Sequence, residues 1–232
     1  FEKGVAVEHE TAEEVLRFLD YPAYFDLLDI PIPNGRMAIL EALSNDELIC
    51  PCKAGGWNVT HLGGILFAKD LNSFPSLRRK AIRVIQYKGR GRLDTVREQV
   101  GAKGYAVGFE GLIQFIRALI PTNEVIGEAF RRTVPMFPEL AVRELVANAL
   151  IHQDFFATGS GPMVEIFDDR MEITNPGEPL VDTRRFLDSP PKSRNETLAS
   201  LMRRFRICEE RGSGIDKVVA QVKLFQLAAP SF

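Results

Sequence analysis

Glu144, Asn148 and His152 recur at intervals of four along PELAVRELVANALIHQD, residues 138–154. On a helix that spacing places a carboxylate, an amide and an imidazole on one slowly drifting stripe. Leu140, Val142, Leu145, Val146, Leu150 and Ile151 fill most of the remaining surface, so the helix is expected to be buried. Burying three such polar groups is costly unless each is paired. A bound ligand would pair them, and so would polar neighbours in a core. A second chemical signal lies downstream, where Gly212, Ser213 and Gly214 lead into the helical pattern IDKVVAQV. A glycine turn opening a helix presents free backbone N–H groups and the positive end of the helix dipole, which suits phosphate. Alone, such a turn is a common loop.

A third signal is charge. RRKAIRVIQYKGRGR holds Arg78, Arg79, Lys80, Arg83, Lys88, Arg90 and Arg92 with no acidic residue. AIRVIQY reads as a strand, and its basic flanks could track a nucleic-acid backbone. A solvated edge strand blunted by charge reads equally well, as does a run that faces the second half and its ligand.

The elements that must position these residues follow from pattern. In the second half, NEVIGEAFRRTVPMF reads as a strand with a bend, and Pro138 suits the first turn of the central helix. PMVEIF and RMEIT alternate as a hairpin turning at Asp168 and Asp169, ended by Asn175-Pro176-Gly177. VDTRRFLDSPPKSRNE is too polar for a core, and ETLASLMRRF is a helix. In the first half, Thr11 and Glu14 form a capping-box signature for a short helix through Leu19, and Pro22 breaks the pattern. A helix over 37–43, a hairpin in DELICPCKAGGWNVT turning at 53–56, and a helix from His61 capped by Thr60 come next. Helix, hairpin and helix suggest a winged helix, though small α/β units use the same pieces. FEGLIQFIRALI is an amphipathic helix ending at Pro121, which sets the expected boundary between residues 1–120 and 121–232.

Glu144-x-x-x-Asn148-x-x-x-His152, followed by ITNPG and ERGSGI in strand-end and helix-start contexts, resembles the GHKL (HATPase-type) ATP-binding fold. RELVANALIHQDF, EITNPG, SRNETLASLMRR and CEERGSGIDK are similar to one branch of it. Those are bacterial predicted transcriptional regulators, also described as ATP-dependent helicase-related, which carry a Schlafen AlbA-like domain. The resemblance spans the chain and is densest over 135–217. It implies an α/β (α+β) protein: a C-terminal α/β sandwich, its mixed, largely antiparallel sheet covered by helices on one face, preceded by a smaller α+β region. It also implies ATP and Mg²⁺ as ligands, with Asn148 holding the metal and Glu144 as general base. His152 would reach phosphate or cap the polar stripe. Gly212, Ser213 and Gly214 would cradle phosphate, and Gly177 would let the backbone approach adenine.

Lys192, Arg194 and Asn195 fall in the implied ATP lid. They read equally well as a solvated loop, with Asn195 as the N-cap of the next helix. Asn175 stands where the wider family has Asp. Its carbonyl oxygen can still accept a hydrogen bond from adenine, but without charge, which weakens the contact by about 1 kcal/mol. G-S-G is also shorter than the usual G-x-G-x-G.

The formal net charge is −2, which argues against a wholly basic nucleic-acid binder. Cys50, Cys52 and Cys208 have neither zinc spacing nor an even count, and read as reduced thiols of a cytoplasmic protein. His9 and His61 are lone histidines expected in surface or packing roles. No apolar run reaches the roughly 18 residues of a membrane span. The chain opens on Phe1 and stops on Phe232, as a piece of a longer protein would. The expected function is thus a nucleotide-switched module of a transcriptional regulator, with DNA reached through neighbouring domains and a homodimer as one assembly. The rival expectations are a degenerate scaffold that binds DNA or dimerises without nucleotide, and a slow ATPase.

Overall fold

The computed structural model describes residues 1–126, 131–183, 192–208 and 214–232. Strands β1 (Val5–Glu10), β2 (Ile49–Pro51) and β3 (Trp57–Thr60) form an antiparallel sheet in the order β1-β3-β2. Around it lie helices α1 (Ala12–Phe18), α2 (Tyr21–Leu27), α3 (Arg36–Asn45) and α4 (His61–Phe67). The Thr11–Glu14 capping box closes in both directions, and Thr60 Oγ1 accepts from the Gly63 N–H at 3.0 Å, each satisfying a first-turn donor. The first helix ends at Phe18 with Leu19 as its C-cap, as the sequence suggested, but the break at Pro22 is itself a helix start. Asp20 caps a new helix, α2, and Pro22 sits in its first turn, where a missing N–H costs nothing.

The second sheet is four-stranded, in the order β5-β4-β8-β9. It consists of β4 (Arg83–Tyr87), β5 (Thr95–Val100), β8 (Met163–Ile166) and β9 (Met171–Thr174). β4 runs parallel to β8, and the other two pairings are antiparallel, so the sheet is mixed and largely antiparallel. The boundary expected at Pro121 does not divide this sheet, because β4 and β5 precede it and β8 and β9 follow it. The reason lies in β4 itself. Val84 is buried in the main core while Ile85 and Tyr87 are buried in a separate cluster with Phe167. A strand apolar on both faces belongs inside a sheet. The edge-strand reading of AIRVIQY is corrected for the same reason, and β5, exposed along its whole length, is the edge.

Helices α5 (Tyr105–Leu119), α6 (Glu139–Ile151) and α7 (Glu196–Arg204) share the main apolar core with Val84, Val164 and Ile166 of the sheet. Helix α8 (Gly214–Leu224) packs on α6. The core continues from Leu66 and Ile116 to Val146 and Leu201, across both halves. The stretch read as one bent strand is an antiparallel hairpin of β6 (Thr122–Ile126) and β7 (Arg131–Pro135). Among the described residues, no helix is long and apolar enough to cross a membrane.

Candidate functional site

Helix α6 starts after Pro138, which is extended and occupies the N-cap rather than the first turn. Val142, Val146 and Leu150 enter the core, so the stripe of Glu144, Asn148 and His152 is turned toward α8 at one end and toward α7 at the other. Glu144 is 5 % exposed. Gly214 opens α8, and a side-chain carbon placed on it would stand 2.8 Å from Glu144 Oε2 and 3.8 Å from Asn148 Nδ2. A side chain at this position would push the carboxylate aside, so glycine leaves it in place. Two of the sequence signals, the polar stripe and the last residue of the glycine turn, therefore meet. Gly212 and Ser213 lie outside the described residues.

His152 closes the helix as its C-cap, its N–H donating to the Asn148 carbonyl at 2.9 Å. Burial holds its pKa below the ordinary histidine value, and the positive charges of Arg194 and Arg203 push it the same way. The stripe thus runs from a buried carboxylate to a basic end. Arg203 is brought to the histidine by the packing of α7.

The ITNPG turn is fastened to the end of α6. The Asp154 N–H donates to the Pro176 carbonyl at 2.7 Å. Gly177 has φ +109°, and a Cβ there would meet Asp154 Cβ at 2.8 Å. Asp154 escaped the sequence reading, although its place two residues after His152 was the available signal. Asn175 is half-buried, with its Nδ2 3.5 Å from the Pro176 carbonyl. Arg194 donates to the Glu178 carbonyl, and Lys192 is exposed.

Asn195 is neither a conventional N-cap nor a solvated loop residue. It is buried, makes no side-chain cap to α7, and donates through Nδ2 to the carbonyls of Ile151 at 2.7 Å and Gln153 at 2.9 Å. The carboxylate of Glu2 takes the capping role, accepting from the Leu198 N–H at 2.6 Å. Gln153, fully buried, donates to the Tyr105 hydroxyl at 2.8 Å, and Tyr105 donates in turn to the Lys80 carbonyl at 2.5 Å. A chain of polar contacts thus links the end of α6 to both halves.

Four residues of the basic run have partners within the chain, although Arg83, Arg90 and Arg92 stay exposed. Lys80 is buried and donates to the Ala157 carbonyl at 2.8 Å. Arg83 pairs with Glu98 at 2.6 Å, Arg90 with Asp169 at 3.1 Å, and Arg92 with Glu165 at 2.7 Å. Arg92 also reaches Glu172 at 2.6 Å, and Arg170 stacks 3.8 Å over Phe167. These cations cover the sheet face opposite the helices. Arg78, Arg79 and Lys88 are exposed.

Residues 159–232 match a sequence-family model described as "Putative ATP-dependent DNA helicase recG C-terminal". The match begins after α6 and takes in the ITNPG turn, α7 and α8, so this part of the chain is similar to a helicase-related, ATPase-like module. No curated protein sequence matches the chain. Among solved structures, the DIP2311 protein from Corynebacterium diphtheriae is similar in fold, with 22% sequence identity and a TM-score of 0.70. The likeness covers 99% of this chain and 44% of that one. The chain therefore spans less than half the length of that protein. Among the described residues, no group of three or more His, Cys, Asp or Glu side chains is placed to hold a metal on its own.

Proposed function

We propose that the chain binds Mg·ATP between α6, the ITNPG turn and the start of α8, as a nucleotide-switched module. The observation that carries this reading is the approach of Gly214 to Glu144 and Asn148. It brings a helix N-terminus, suited to phosphate, onto the polar stripe of a buried helix. The donor set fits such a ligand. Asn148 offers an amide oxygen that a hard cation accepts, with substrate phosphates completing the shell. That need for phosphate agrees with the lack of an all-protein metal cluster among the described residues. Arg194 and Arg203 give the other end of the stripe the positive character a polyphosphate requires, beside the His152 ring.

When bound, the metal would neutralise phosphate charge and polarise the terminal phosphoryl group. In a slow ATPase, Glu144 would orient the attacking water. The match to an ATP-dependent helicase-related family over 159–232 supports nucleotide chemistry of this general kind. DNA, in this reading, is met through other segments of a longer protein. Lys80, Arg83, Arg90 and Arg92 of the basic run already have partners within the chain, which favours that division of labour over direct DNA binding by the run. Regulation of transcription is the proposed consequence of nucleotide binding.

Calorimetric titration of Mg·ATP into the protein, with Asn148→Ala as control, tests the reading. The expected result is binding that vanishes in the variant and persists in Glu144→Ala. Absence of heat, together with no rise in melting temperature at saturating nucleotide, overturns it. A ligand at one hundred times its Kd stabilises a fold by about 2.7 kcal/mol.

A further inference from the structure

Far from α6, the β1–β3 edge holds a second group of reactive side chains. Cys52 Sγ lies 3.1 Å from His9 Nδ1, and the other ring nitrogen of His9 lies 3.9 Å from Glu8 Oε2. The thiol thus touches one ring nitrogen, and a carboxylate lies near the other. Neither the cysteine spacing nor the isolated histidine indicated this, because three helices separate His9 from Cys52 in the sequence.

The contact is built by three independent features. Pairing between β1 and β3 slips between Val7 and Glu10, and within this irregularity His9 takes φ +61°, a conformation uncommon for a side chain of its size. Asn58 fixes it there, its Oδ1 accepting from the His9 N–H at 3.0 Å. On the other side, the turn after β2 is closed by Cys52 N–H donating to the Gly56 carbonyl and Gly55 N–H donating to the Cys52 carbonyl, both at 3.0 Å. Gly56 has φ +77°, and a Cβ there would meet the Glu10 carbonyl oxygen at 2.7 Å. Only glycine lets the turn close against the His9–Glu10 backbone. His9 is exposed and Cys52 half-buried, so small reagents can reach the sulfur.

We propose that Cys52 is a thiol modification site, served by His9 as base, whose reagents are hydroperoxides. The thiol proton passes to His9 Nδ1, and Glu8 faces the imidazolium that forms. The sulfur electron pair then attacks one peroxide oxygen. An S–O bond forms as the O–O bond breaks, and the departing oxygen takes the proton from His9 and leaves as water, or as alcohol from an alkyl peroxide. Sulfur is oxidised to the sulfenic acid and the peroxide is reduced. With its base in place, Cys52 is expected to react ahead of Cys50 and Cys208.

The test exposes the whole chain to substoichiometric hydrogen peroxide with dimedone present and maps the adduct by peptide mass spectrometry. Adduct concentrated on Cys52 is the expected result, and an even distribution over Cys50, Cys52 and Cys208 overturns the proposal. In His9→Asn, a residue that keeps the left-handed backbone, labelling of Cys52 should fall by about tenfold. Labelling of Cys208 and the melting temperature should stay unchanged. Asn58→Ala, which frees the backbone of His9, should slow Cys52 in the same direction. An unchanged rate at Cys52 in a folded His9→Asn variant also overturns the proposal.

Discussion

Arg204 grips Asp46 with both terminal guanidinium nitrogens, at 2.8 and 2.6 Å, while the Tyr24 hydroxyl donates to the same carboxylate at 2.6 Å. The fork joins the last turn of α7 to the residue that ends α3, across 158 positions of sequence. Phe205, next in the chain, packs edge-on against Tyr24 and Phe67. Helix α7 is therefore anchored to the first half at its C-terminal end by this fork and at its N-terminal end by Glu2. The helix that precedes the glycine turn is thus tied to the first half at both of its ends.

Arg204→Ala should destabilise the protein by about 1–2 kcal/mol, since a bidentate, partly shielded pair exceeds an ordinary surface ion pair. A double-mutant cycle with Asp46→Ala, read by urea unfolding, isolates the coupling. Strict additivity would show that the fork contributes nothing.

Asn195→Ala should cost about 2–3 kcal/mol, because two buried carbonyls at the end of α6 lose their donor. Asn195→Asp has the same shape but sets carboxylate oxygens against those carbonyls, and should cost more. A solvated lid residue would tolerate both changes, so equal midpoints of chemical denaturation would contradict the clasp.

Much of this was legible in the sequence, and the misses share a cause. Capping at Thr11 and Thr60, both hairpins and the amphipathic α5 depend on neighbours within a few residues, where pattern is informative. β5 was missed because TVREQV is exposed on both faces and shows no alternation. The join between the halves was missed because the partner of β4 is β8, 80 residues on for Arg83 and Met163, and nothing in RVIQY names it. At the site, the stripe on α6 was readable from spacing. The roles of Arg203, Asp154 and the Cys52–His9 contact arise only from packing between distant elements.

The two site glycines should differ in tolerance. Gly177→Ala places a Cβ against Asp154 at a positive φ, so backbone strain adds to the clash. Gly214→Ala meets the end of the Glu144 side chain, which can move aside. The expected outcome is a larger loss of stability in Gly177→Ala, by at least about 1 kcal/mol. Gly214→Ala should instead weaken Mg·ATP binding in a largely intact fold. Equal losses in thermal melts would refute this ordering.

Glu165 gives the protein an acid-sensitive link. Its hydrogen bond from Arg92 is the main cause that holds its pKa below the ordinary carboxylate value, against a burial effect that opposes it. A carboxylate with a lowered folded-state pKa contributes stability above its unfolded value and loses it as pH falls through the folded one. Denaturation midpoints from pH 7 downward should therefore decline once ordinary carboxylates begin to protonate. Arg92→Ala should shrink the part of that decline belonging to Glu165. A decline of unchanged size in the variant would place the acid sensitivity elsewhere.

His152 links pH to the proposed ligand. Its pKa is lowered, first by burial and then by Arg194 and Arg203. As pH falls through the ordinary histidine value of about 6.5, the unfolded chain takes up a proton that the folded chain refuses. Stability is lost across the interval down to the folded value, below which the slope vanishes. His152→Asn should flatten that interval. A bound triphosphate would offset the two arginine charges and stabilise the imidazolium, raising the folded value. Saturating Mg·ATP should then shift the His152 ring resonance toward protonation at pH 6.5 and produce proton uptake when titrations in two buffers are compared. The His152→Asn variant identifies the signal among the three histidines. A His152 titration unmoved by nucleotide that does bind would place the phosphates away from the basic end of the stripe and leave Glu144, Asn148 and Gly214 as their only contacts with it.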